Sequence, residues 1–175
     1  RLLRVDYAAE ARALSREFPA GQPLINQTVQ VTQPAVTGLT LRNLKKQHHL
    51  QVIFGRMRRH GHDSLCHWDT VFEPDDLVVI TGETEEVTRV GALLGQPVPT
   101  DIADDRSVFA LRRMFVSNPK VAGKTIAALN LTEAYPVVLT RIRHGDVDTL
   151  VRPDTVLELG DRVRVLAGEE DMKKL

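Results

Sequence analysis

The chain has 175 residues, 42% of them apolar and 26% charged, and its 23 basic residues are matched by 23 acidic ones. No net charge draws it to nucleic acid or to an anionic surface, and an aromatic content of 5% is too thin for a base-stacking platform. The single cysteine, Cys66, excludes an internal disulfide or a thiolate metal cluster and fits a reducing compartment.

The chain opens at Arg1 rather than Met, which is expected of an excerpt from a longer protein. Val5–Phe18 is rich in Ala, Glu, Arg and Leu and predicts a helix, stopped by the breaker cluster Pro19-Ala20-Gly21. A strand follows at Leu24–Thr32, then a Pro/Gly turn in which Gly38 supplies a backbone conformation that a Cβ disfavours. Thr40 is placed to cap a short helix ending near Lys45. Strands are predicted at Gln51–Arg58, Ser64–His67 and Leu77–Thr81, with a polar Asp-Thr-Val-x-Glu connection before the last and a helix at Glu83–Leu94 after it. Gln96–Asp105, with Pro97 and Pro99, reads as a linker. The same series then returns: a strand at Val108–Ser117, a helix capped by Thr125 and ending near Leu131, strands at Pro136–Arg143, Thr149–Val151 and Arg162–Ala167, and a closing helix from Glu169. No apolar run approaches the roughly 20 residues that span a bilayer, the densest being Leu77–Ile80, and there is no signal-peptide pattern.

The second series is a copy of the first. Val31, Pro34, Gly38, Thr40 and Leu44 recur as Val116, Pro119, Gly123, Thr125 and Leu129, each 85 residues on. Arg56 and Arg58 recur as Arg141 and Arg143, and Asp69-Thr70-Val71-x-Glu73-x-x-Asp76 as Asp154-Thr155-Val156-x-Glu158-x-x-Asp161. Three spaced motifs in one order mark a duplication. The expected architecture is α+β (α/β): two tandem βαβββα units with mainly antiparallel sheets, at 22–95 and 107–175, a linker at 96–106, and an N-terminal helical piece at 1–21.

The repeat unit resembles the RCK C-terminal (TrkA-C) module, a ligand-sensing domain of cation channels and transporters. Two copies behind an Arg-rich helix resemble the cytoplasmic region of the aspartate:alanine exchanger family. The carriers are Arg4-Val5-Asp6 with Glu10-Ala11, Val116-Ser117-Asn118-Pro119, Gly123-Lys124-Thr125, Thr140-Arg141-Ile142-Arg143, Pro153-Asp154-Thr155-Val156-Leu157 and Gly160-Asp161-Arg162-Val163. The resemblance covers nearly the whole chain and is tighter in the second copy; the first departs at His62–Trp68. It implies a regulatory part at the cytoplasmic face of the membrane, with the protein's own transmembrane segments as partner.

The arginine pairs are the candidate ligand contacts. Residues i and i+2 of a strand share a face about 7 Å apart, so Arg56 with Arg58, and Arg141 with Arg143, each form a double fork that matches a planar anion. Asn118 and the backbone at Gly123 add donors. The alternative is structural pairing with Glu73 or Asp76 and with Glu158 or Asp161. Gly123-Lys124-Thr125 lacks the earlier glycine of a phosphate loop, where Asn118 stands instead. His60, His62, Cys66 and His67 match no metal spacing, and no nucleophile–base signature occurs. The reading is a non-enzymatic regulatory region with no cofactor, metal or nucleic acid, a small anionic ligand, and either a homodimer or an intrachain pseudo-dimer. Its alternatives are a passive module coupling transmembrane halves, or a regulatory subunit of a potassium or cation transporter.

Overall fold

The computed structural model describes residues 23–99, 102, 103, 105 and 107–175. The predicted helix at Val5–Phe18, the breaker after it and the motif residues from Arg4 to Ala11 lie outside them.

Two sheets carry the chain. The first is built from β1 (Leu24–Val31), β2 (Ile53–Arg59), β3 (His62–Leu65), β4 (Leu77–Glu83) and β5 (Gly95–Pro97), in the order β3-β2-β4-β1-β5. The second holds β6 (Ala110–Phe115), β7 (Val137–His144), β8 (Val147–Leu150) and β9 (Arg162–Ala167), in the order β6-β9-β7-β8. All paired strands are antiparallel. The two orders are the same path through each copy, with β5 added at the edge of the first. The helices are α1 (Leu41–His48), α2 (Thr84–Leu94), α3 (Ile126–Leu129), α4 (Leu131–Ala134) and α5 (Glu169–Met172).

The central strand β4 is buried on both faces, which is why Leu77–Ile80 reads as an unbroken apolar run, whereas the edge strands β6 and β8 hold no buried residue. On the helix side, Val29, Val31, Val78 and Ile80 meet Leu44, Val87, Val90 and Leu94, all fully buried. The second copy repeats this with Val137, Leu139, Val163 and Val165. The opposite faces meet each other. Leu65 of the first sheet packs with Val138 and Leu166 of the second, flanked by Ile53 and Phe109. The meeting runs through β2 and β7, which are equivalent strands of the two copies.

The repeated motifs are turn chemistry. Gly38 and Gly123 sit at φ +76° and +78°, where L side chains are disfavoured. Thr40 Oγ1 accepts from Asn43 N–H and Thr125 Oγ1 from Ala128 N–H, so both are N-caps as the sequence predicts. The Asp-Thr-Val connections serve these same helices. Thr70 and Trp68 offer carbonyls to Leu41 and Arg42 N–H, and Thr155 and Pro153 do so for Ile126 and Ala127. Those first-turn donors have no partner within the helix.

The copies differ in three places. The α1 helix runs unbroken to a left-handed cap at His49, whereas Asn130, a residue that tolerates this region, takes φ +48° and splits the second helix into two short turns. The closing helix α2 is long enough to bury four residues, while α5 spans Glu169–Met172. Finally, the start of the expected linker is structured. Gly95–Pro97 pairs with Val29–Val31, and Val98 N–H reaches Thr28 O. Gly95 makes this approach possible, because a Cβ there would collide with Gln30 O and Thr32 N.

Candidate functional site

Strand β2 turns Arg56 and Arg58 to one face, as period-2 geometry requires, and both reach Asp63 on β3. Arg56 is 1% exposed. Its Nη1 donates to Ile102 O at 2.8 Å and its Nη2 to Phe109 O at 3.1 Å, and its guanidinium lies over the Phe109 ring. Arg58 also donates to Asp105 at 2.6 Å. Hydrogen bonds to Asp63 and Asp105 hold the Arg58 pKa above its ordinary value, and those from Ser107, with that of Arg58, hold the Asp105 carboxyl below its own. The first arginine pair thus fastens the connecting segment to the first sheet.

The second pair is less occupied. Arg141 Nη2 donates to Asn26 Oδ1 of the first copy at 3.0 Å, and Arg143 lies 3.4 Å from Asp148. Burial, and then the neighbouring Arg164, lower the Arg141 pKa. Arg143 Nε is buried without a hydrogen-bond partner. Arg56 and Arg141 come together at a small cavity of about 50 Å³ between the sheets. Asn118 forms a turn, its Oδ1 accepting from Lys120 N–H, and Gly123 N–H donates to Leu157 O.

The repeated acids pair one residue further along. Asp76, 1% exposed, accepts from Glu73 N–H and from two nitrogens of Arg59, which also meets Glu73. Asp161, 3% exposed, accepts from Glu158 N–H and meets His144 Nδ1 at 2.7 Å, while His144 Nε2 lies 3.3 Å from Glu158. Arg59 and His144 are equivalent positions on the other face of β2 and β7. The structural alternative read from the sequence paired the arginines with these acids; Arg56, Arg58 and Arg143 instead meet Asp63, Asp105 and Asp148, and the repeated acids meet the residue that ends each strand.

A larger site was not singled out in the sequence. A cleft of about 990 Å³ opens between the copies, and equivalent residues line it from both sides: Leu41 and Ile126, Val52 and Val137, Asp69 and Asp154. None of Arg56, Arg58, Arg141, Arg143, Asn118 or Gly123 lines it. Its first-copy wall carries Trp68, with the Arg42 Cζ and Lys45 Nζ at 5.7 Å and 5.6 Å from the ring centroid. Lys45 Nζ donates to Val52 O at 2.9 Å, and burial lowers its pKa. The signal was present, since His62–Trp68 is where the first copy leaves the repeat pattern. Cys66 also lines the cleft, and burial, with Asp76 nearby, pushes its thiol up to about 12, which disfavours the thiolate. Among the described residues no cluster of His, Cys, Asp and Glu is arranged to hold a metal ion, and no helix is long and apolar enough to cross a membrane.

Residues 111–175 match the TrkA-C domain. The whole chain is 42% identical to part of an uncharacterized transporter of Symbiobacterium thermophilum and 41% identical to part of one from Geobacter sulfurreducens. It spans 32% of the length of each of these curated relatives. Among solved structures it is similar to the GsuK RCK domain, at 12% identity and a TM-score of 0.41, over 88% of this chain and 62% of that one. The matched portion is therefore a TrkA-C-bearing region of transporter chains, and neither relative is named as an enzyme.

Proposed function

We propose that this chain is the ligand-sensing region of a membrane transporter of the aspartate:alanine exchanger type, held at the cytoplasmic face. The two copies act as an intrachain pseudo-dimer, and the ligand site is the cleft between them. The observation that carries this reading is the cleft itself: a concave, mainly apolar space of about 990 Å³ walled by equivalent residues of both copies. Ligand pockets run from about 300 to 1,000 Å³ and favour such seams. A molecule held by both walls binds one relative setting of the copies best, and that difference is what shifts a conformational equilibrium. The arginine pairs support the same device. Arg56 and Arg58 bind the connecting segment to the first sheet, and Arg141 crosses to Asn26 of the first copy.

The test uses the whole transporter reconstituted in liposomes, with aspartate exchanged against alanine. Ala127 is exposed and lines the cleft at the position equivalent to Arg42, where a long side chain is accommodated. Ala127→Phe adds a ring to the second wall of the cleft at an exposed position. An altered exchange rate, or lost response to cytoplasmic solutes, supports the regulatory reading. Flux identical to wild type refutes it and leaves a passive coupling module.

A further inference from the structure

The walls of the cleft share a backbone path but not a chemistry. Where the first copy has Arg42, Lys45 and Trp68, the second has Ala127, Asn130 and Pro153 at the equivalent positions. Trp68 lines the cleft and is 38% exposed, with the Arg42 and Lys45 cations lying over its ring. Neither Arg42 nor Lys45 has an acidic partner among the described residues. Lys45 uses one of its three donors, on Val52 O. The second wall's cation, Arg152, is engaged across the seam with Gln51 Oε1 at 3.3 Å. Asp69 and Asp154 face the cleft from both sides and do not distinguish them.

Resting on the reading of this cleft as a ligand site, we propose that it takes one unsymmetrical ligand, a planar unsaturated ring bearing an anionic group. The ring lies against the part of Trp68 that stays exposed, and the anion is met by Arg42 and Lys45. Trp68 supplies a flat, polarisable surface, and the cations over it give charge-assisted hydrogen bonds to a carboxylate or phosphate. The walls alone permit two orientations related by the repeat. The reverse orientation places the anion at the uncharged Ala127 and Asn130, with the second wall's Arg152 already bonded to Gln51, so only one is used and each chain binds one ligand.

Trp68 is the single tryptophan of the chain, so its emission reports the site directly. Adenosine monophosphate and benzoate carry a ring and an anion from two chemical sources. Adenosine has the ring alone, inorganic phosphate the anion alone, and a cyclic dinucleotide is two-fold symmetric. The expected result is that adenosine monophosphate or benzoate changes Trp68 emission and binds at least tenfold tighter than adenosine or phosphate. Which of the two binds identifies the source. Lys45→Met, and independently Arg42→Ala at an exposed position, weaken that binding at least tenfold, whereas Asn130→Ala changes it less than twofold. Equal losses from Lys45→Met and Asn130→Ala, or tighter binding of the cyclic dinucleotide, overturn the one-sided site and leave the cleft reading standing. So does a compound that stabilises the wild type but not Ala127→Phe while no ring-bearing anion alters Trp68. Failure of every probe, with no compound showing that stabilisation, overturns both.

Discussion

Replacing Asp76 with alanine removes the acceptor that ties the Glu73 turn to Arg59. The carboxylate is 1% exposed and accepts the Glu73 N–H at 2.8 Å and two guanidinium bonds at 2.8 Å and 2.7 Å. The lost backbone bond is worth about 1 kcal/mol, and bonds to a charged group are worth about 1.5–3 kcal/mol each. Arg59 retains 28% exposure and its contact with Glu73, so water and that acid recover much of the ionic part. The expected cost of Asp76→Ala is about 3 kcal/mol, and that of Asp76→Asn, which keeps an acceptor for Glu73 N–H, about half as much. Urea unfolding followed by Trp68 emission reads the first copy. A cost for Asp76→Ala below about 1 kcal/mol, or equal costs for the two variants, refutes the view that this acid organises the turn.

In the second copy the cation opposite the acid is His144, whose pKa is raised by the hydrogen bond to Asp161 and by the charges of Glu158 and Asp161. A raised folded-state pKa gives stability that is complete below the ordinary value of 6.5 and is lost as pH rises through the folded value. Thermal melts followed at the second copy should therefore fall in that window, and His144→Arg should remove the dependence. Gly123→Ala meets no atom within 4 Å but must adopt φ +78°, a cost of about 1–2 kcal/mol that equilibrium unfolding measures. Gly95→Ala brings its Cβ against Gln30 O and Thr32 N, so hydrogen exchange at Val98 N–H should accelerate as β5 leaves β1. Cys66, buried with its thiol pushed up to about 12, should resist maleimide at pH 7 until the chain is unfolded.

The repeat made most of the fold legible. Glycine, threonine and aspartate at fixed offsets each have one local task, a left-handed turn, an N-cap or a carboxylate under a turn, so their recurrence marks recurring backbone. Strand parity also placed Arg56 with Arg58 correctly. It did not find their partners, because Asp63 and Asp148 sit on neighbouring strands and only the register aligns them. Strand β5 escaped for a similar reason. Prolines in Gln96–Asp105 argue against a strand, yet an edge strand tolerates them where no ladder donor is needed. The departure of His62–Trp68 from the repeat marked one wall of the cleft, but the cleft itself belongs to neither copy. Its walls are assembled by the docking of β2 on β7, and that contact leaves no periodic trace in either segment.

Ligand-dependent stabilisation of the chain tests the central reading most directly. Amino acids, nucleotides and organic acids are screened by thermal melting on the wild type beside Ala127→Phe. A native-state ligand at a hundred times its Kd adds about 2.7 kcal/mol, which raises the melting temperature of a chain this size by roughly 5–10 °C. The account predicts that at least one compound produces a rise of this size in the wild type and that Ala127→Phe abolishes it. A screen without any such rise, or a rise that persists unchanged in Ala127→Phe, contradicts a sensing site between the two copies.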